Sequence, residues 1–209
     1  GLYQVDFSWK NILEEEPTKD ELDFYRFYAG IDFGFQHPAF VLIVEDEWGR
    51  FIVLDEYLGE KISTLDFFTL LQRRMREKFK LDLNDIIIFG DIAGTYREQG
   101  DGTSLIRKIE QRFGIRIHTY RQKVMDGVFL IKDWLNTKIE DVPKLRVYRG
   151  CPTTLSGFLG RFEQDDLGRP VKDGYYEHIH DALRYAIYGI NRISRRKPVK
   201  IYRPTYNIV

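Results

Sequence analysis

Apolar positions along the chain change their spacing several times, and those changes divide it into elements. Residues 1–24 have weak periodicity and a Glu-Glu-Glu-Pro break at positions 14–17, so they read as an arm or linker. Residues 26–34 read as a strand in which Tyr28, Ala29 and Ile31 lead into Asp32 and Gly34. The run Ala-Phe-Val-Leu-Ile-Val at 39–44 is a second strand, and residues 50–57 are a third beyond a turn at 46–49. Short turns between three β-rich runs predict an antiparallel meander.

Helical spacing takes over at 64–79, where Leu65, Phe68, Leu71, Met75 and Phe79 recur at three- and four-residue steps behind a capping Ser63 or Thr64. The wholly apolar run at 86–89 suits a strand covered on both faces, and it stops at Gly90-Asp91. A helix over 103–113 ends at Gly114, a buried strand occupies 115–120, and a helix covers 125–135. A short strand at 145–148, a helix opened by Pro152 to about 164, a hairpin or loop over 168–176 and a strongly amphipathic helix over 180–193 complete the order. An antiparallel opening followed by alternating helix and strand predicts an α/β domain with a mixed sheet flanked by helices.

Composition narrows the chemistry. The 209 residues are 43% hydrophobic and 15% aromatic, enough for one well-packed domain. Its extent reads as 25–195, between the arm at 1–24 and a basic tail at 196–209. No apolar run reaches the ~18–20 residues of a membrane span, and no secretory leader is visible. The single Cys151 excludes an internal disulfide framework and a cysteine zinc cluster, so any metal falls to carboxylates. The formal charge is zero, with 32 basic and 32 acidic residues, which argues against coating DNA through bulk charge. The distribution is uneven, since residues 191–209 carry six basic side chains and no acidic one. That end suits nucleic-acid contact or is simply a solvated tail.

The candidate chemistry sits at strand ends. Asp32 closes one apolar strand, Asp91 closes another, and Asp181 stands at the start of the last helix. Singly, each is an ordinary turn or cap residue. Brought together, three carboxylates repel one another until protons or cations relieve them. Oxygen ligands of this kind suit Mg²⁺ or Mn²⁺, and a pair of such ions ~3.5–4 Å apart can drive phosphodiester hydrolysis.

The strings around these acids are familiar. The segment Tyr-Ala-Gly-Ile-Asp-Phe-Gly-Phe-Gln-His-Pro-Ala at 28–39 resembles the first nuclease motif of the large terminase subunits of tailed bacteriophages. Ile-Phe-Gly-Asp-Ile-Ala at 88–93 resembles the second, and His-Ile-His-Asp-Ala-Leu-Arg-Tyr-Ala at 178–186 is close to the third and is the most specific. The likeness runs from about residue 27 to 191. It implies a ribonuclease-H-like fold, two divalent ions (Mg²⁺ or Mn²⁺) held by Asp32, Asp91 and Asp181, and cleavage of double-stranded DNA with little sequence preference. It implies a supporting acid at Glu177, a histidine of less defined role at His178, and a DNA-contacting base at Lys123. Lys172 and Arg97 are further candidates for DNA contact.

No Walker-type phosphate loop is present, so the chain reads as the nuclease part of a longer protein, with the acidic arm as remnant of a linker to an ATPase motor. The resemblance implies a portal protein and a small terminase subunit as partners, work in the cytoplasm of an infected bacterium, no membrane association and an isolated domain that is monomeric. The rival readings are a junction resolvase or transposase-type nuclease of the same fold, and a non-catalytic module docking on portal or DNA. Elsewhere the plain reading prevails: Asp55 and Glu56 as a surface pair, Arg73, Arg74, Arg76 and Lys78 as a solvated helix face, Asp101-Gly102 as a turn, His37 and His180 as structural, and Cys151 as a buried thiol.

Overall fold

A computed structural model describes residues 1–34, 36–96 and 103–196. Arg97, the Asp101-Gly102 turn and the tail beyond Arg196 lie outside the described residues. The strands are β1 (Ile12–Leu13), β2 (Arg26–Asp32), β3 (Ala39–Glu45), β4 (Phe51–Leu58), β5 (Ile87–Gly90), β6 (Ile117–Thr119), β7 (Lys138–Ile139), β8 (Val142–Pro143) and β9 (Leu145–Tyr148). The helices are α1 (Lys19–Leu22), α2 (Thr64–Phe79), α3 (Leu105–Phe113), α4 (Val124–Asn136), α5 (Pro152–Ser156) and α6 (Tyr176–Arg196).

Seven strands form one sheet in the order β1-β9-β4-β3-β2-β5-β6. The β2–β3–β4 meander is antiparallel, as its short turns require. The pairs β2–β5, β5–β6, β4–β9 and β1–β9 are parallel. The mixed sheet, antiparallel at first and parallel afterwards, is therefore as the sequence predicts.

The unbroken apolar run of β3 is explained by cover on both faces. Val41 and Ile43 join a core that includes Val128 of α4 and Ala182 and Ala186 of α6, while Phe40, Leu42 and Val44 point into a second core with Phe68 and Leu71 of α2. Ser63 caps α2 by accepting from Asp66 N at 3.2 Å, and Gly114 ends α3 at φ +62.

Residues 1–24 depart from the expected arm. Leu2, Tyr3 and Phe7 are buried, and Leu2 N donates to the Phe162 carbonyl at 2.7 Å. Asn11 Nδ2 donates to the carbonyls of Leu135 and Leu145, each at 3.0 Å, and β1 extends the sheet beside β9. Partners more than 120 positions away supply this order, so the local pattern carried little of it.

The helix opened by Pro152 also stops earlier than expected. It passes into a π turn, Gly157–Arg161, that breaks where Gly160 takes φ +129. The surface reading of Asp55 fails too. Asp55 is buried and receives Arg74 Nε at 2.7 Å, Arg74 Nη2 at 2.9 Å and Lys78 Nζ at 2.9 Å, while the two cations themselves stay partly exposed on the α2 face. Glu56 accepts from Thr153 N and Thr154 N at the start of α5.

Candidate active site

The register of the parallel pair β2–β5 brings two of the acids together. Ile31 pairs with Gly90, so Asp32 and Asp91 follow side by side at the same end of neighbouring strands. They open on one cleft of about 400 Å³, shared with Gly34 and Tyr96. Asp91 also caps the short turn after β5, its Oδ1 accepting from Ala93 N at 3.1 Å.

The third acid comes from α6, and two glycines decide where that helix lies. A Cβ on Gly30 of β2 would collide with the Ala182 carbonyl, and a Cβ on helical Gly189 would collide with the Phe89 ring of β5. The helix backbone therefore rests directly on β2 at the residue after Asp181. Because α6 begins at Tyr176, Asp181 lies in its second turn and not at its start, which corrects the expected helix-end position. Glu177 holds the first turn instead, where its Oε1 accepts from Gly174 N at 3.0 Å.

Among the described residues, few atoms hold each acid. His178 Nδ1 lies 3.0 Å from Asp32 Oδ2, and the ring rests on the backbone of Gly34. That hydrogen bond raises the His178 pKa against the effect of burial, and Asp32, Glu177 and Asp181 add to the rise. His178 Nε2 also stands 3.8 Å from Glu177. Asp181 is pushed up to about 6, first by burial and then by the charges of Asp32 and Glu177, while Arg184 opposes the rise. Tyr185 feels Asp181, Asp32 and Asp91 together, and burial with these charges raises its pKa. The three acids thus share one electrostatic neighbourhood. Among the described residues, however, no three His, Cys, Asp or Glu side chains stand together as a ready metal cage.

Of the predicted bases, Lys123 and Lys172 line a cleft of about 510 Å³ together with Glu177, Asp181 and Arg184. Lys172 follows a tight turn closed by the Gln164–Pro170 bridge, so the hairpin contact begins ahead of the expected 168–176 span, most of which is loop. His180 is buried against Phe158 and Phe162, in line with a structural role, and burial lowers its pKa to about 4. His37 stacks on His178 with ring centroids 6.1 Å apart. Cys151 is buried, and burial raises its pKa. A depression of about 520 Å³ at the other end of β2, by Phe27 and Asp85, gathers none of the predicted site residues.

Sequence reasoning missed Arg184 and Gln122. Arg184 Nη2 donates to Asp181 Oδ1 at 3.2 Å, and its Nη1 donates to Gln122 Oε1 at 3.2 Å. The signal available was spacing alone, an arginine three residues beyond the acid on one helix face.

The sheet order, the paired strand ends and the helix across them define a ribonuclease-H-like fold. Among solved structures the chain is similar to the nuclease domain of the large terminase of bacteriophage SPP1, determined with bound Mn. The two are 22% identical with a TM-score of 0.57, over 86% of this chain and 97% of that one. The large terminase nuclease of thermophilic phage G20c is 14% identical with a TM-score of 0.57, over 90% and 97% of the two chains. Thermus thermophilus RuvC matches more weakly, 16% identical with a TM-score of 0.41 over 83% and 99%. No protein-family model and no curated protein matches the chain. The chain therefore has the fold of large-terminase nuclease domains. No described helix is long and apolar enough to cross a membrane.

Proposed function

We propose that this chain is a divalent-metal-dependent endonuclease of double-stranded DNA and forms the nuclease part of a viral DNA-packaging terminase. The observation that supports this most is the placement of Asp32 and Asp91 on adjacent strand ends with Asp181 on the helix set against them. The same fold occurs in two phage nuclease domains, one of them determined with Mn.

The donor set fits a hard cation. Asp oxygens suit Mg²⁺ or Mn²⁺, and Asp181, raised first by burial and then by the charges of Asp32 and Glu177, is a carboxylate that a bound cation would relieve. Asp32, Asp91 and Asp181 would hold one or two such ions. Bound there, the ions supply charge neutralisation at the phosphate and a more acidic water. The protein contributes the rest. His178 fixes one oxygen of Asp32, and Arg184 fixes one oxygen of Asp181. Glu177 closes the first turn of α6 and adds charge beside His178. Lys123 and Lys172, on the rim, meet backbone phosphates, which sets position without reading sequence. In the reaction a water oxygen adds to phosphorus, the bond to the 3′ oxygen breaks, and that oxygen leaves with a proton.

In the full protein an ATPase motor, a portal and a small terminase subunit would work with this domain, in the cytoplasm of the infected host. A non-catalytic docking module is the second reading, favoured by the lack of a closed metal cage among the described residues. Incubation of linear duplex and of a four-way junction with Mn²⁺ separates the readings. Cleavage of plain duplex by the parent protein but not by Asp32→Ala is expected. Symmetric cuts confined to the junction would instead indicate a resolvase, and no cleavage of either substrate a docking module.

A further inference from the structure

Arg184 is almost wholly enclosed, at 6% exposure, although its head is a full charge. Burying a guanidinium is costly, and where only stability is at stake an apolar side chain of similar size often serves as well. Its setting shows what the charge is used for. One arm donates to Asp181 Oδ1 and the other to Gln122 Oε1, across 62 positions of sequence. Helix α4 makes room for this link at Gly127. A Cβ there would stand 2.5 Å from Arg184 Cγ and 2.6 Å from Gln122 Oε1. Gln122 directly precedes Lys123, which occupies the N-cap position of α4.

The contrast with Arg74 is instructive. Arg74 covers both oxygens of Asp55, with Lys78 in support, and leaves that acid no role beyond holding the fold. Arg184 takes a single oxygen of Asp181 and turns its other arm to the loop. A lysine, with one compact ammonium, could not hold both partners in this fork geometry.

We infer that Arg184 is a positioning residue that fixes the Asp181 carboxylate and ties it to the Gln122–Lys123 loop, so that the third acid and a DNA-contacting lysine are set as one unit. This rests on the nuclease reading above. Arg184 acts through Asp181 and Gln122, the two side chains its guanidinium holds.

The test uses Arg184→Lys and Gln122→Met beside the parent protein and Asp32→Asn. Mn²⁺ binding is measured by calorimetry without DNA, and duplex cleavage is measured as kcat and KM. Arg184→Lys should weaken Mn²⁺ binding and lower kcat, each by about tenfold, the range for groups that orient metal ligands, with KM changed less than about twofold. Gln122→Met keeps the Asp181 contact, so Mn²⁺ affinity should hold while KM for duplex rises by roughly three- to fivefold. A folded Arg184→Lys with parental Mn²⁺ affinity and kcat would overturn the inference and leave the nuclease reading intact. If Arg184→Lys does not fold, a Gln122→Met protein with parental KM overturns the link by itself. A parent protein that binds no Mn²⁺, or binds it equally after Asp32→Asn, overturns the nuclease reading and this inference with it.

Discussion

Asp55 and Asp181 are both acids drawn away from water, and their surroundings differ in the supply of donors. Asp55, on β4, is 2% exposed and receives three charged hydrogen bonds from Arg74 and Lys78. Asp46 is treated similarly, with Trp48 N, Arg50 N and Arg50 Nε all within 2.9 Å. At the proposed active edge, among the described residues, Asp32 has one histidine nitrogen, Asp91 one backbone amide and Asp181 one arm of an arginine. Acids saturated with donors lock the fold. Acids left short of donors keep oxygen atoms and charge for a ligand, at some cost in stability.

Exchanging the two kinds of acid should therefore give opposite results. Asp32→Ala should lower duplex cleavage by at least about 10³-fold, roughly 4 kcal/mol of barrier, while urea denaturation finds the fold intact. Asp55→Ala removes the buried carboxylate that Arg74 and Lys78 hold from the solvent side, and should cost about 1–3 kcal/mol in the same urea titration because both cations can be rehydrated. Cleavage by its folded fraction should stay at the parental rate, and a loss of kcat there would break the division between the two acids.

Acid should sharpen the contrast from a third position. The folded pKa of His180 is lowered from 6.5 to about 4 by burial. Its contribution is thus present above 6.5 and is lost as pH falls through 4, by about 3 kcal/mol. Asp181 runs the other way. Its folded value is raised to about 6, so its contribution is present below its ordinary 3.8 and is lost as pH rises through 6. In metal-free buffer the two oppose each other across that window. His180→Leu should remove this acid-side loss, so the variant should lose less stability than the parent as pH falls from 7 to 4. The smallest expected effect is that of Lys123→Ala, which should lower the slope of log affinity against log salt by about 1 and weaken binding evenly across DNA sequences.

The sheet was legible because its signals are local. Three β-rich runs with short turns, and one apolar run ending in Gly90-Asp91, carry their own patterns. The three acids were legible as strand-end and helix residues, and the likeness of residues 178–186 to a known motif singled out Asp181. What stayed hidden depends on distant partners. Leu2 and Tyr3 are core residues only because Phe162 and its neighbours return to meet them. Asp55 can be interior because Arg74 and Lys78, 19 and 23 positions later, cover it from the α2 face. The start of α6 was placed late because its first turn is capped by Asp173, whose Oδ1 accepts from Tyr175 N and Glu177 N, ahead of the apolar stripe. The role of Arg184 within the 178–186 string is set by Gly127 and Gln122, more than 50 positions earlier, so the string alone does not display it.

The most direct test of the central claim is cleavage of supercoiled plasmid by the parent protein and by Asp181→Ala, each with Mg²⁺, Mn²⁺ or EDTA. Nicking and linearisation that require the metal and vanish in the variant are the predicted result. Equal cleavage by both proteins would remove Asp181 from the site, and no cleavage by the parent under any condition would contradict the nuclease account.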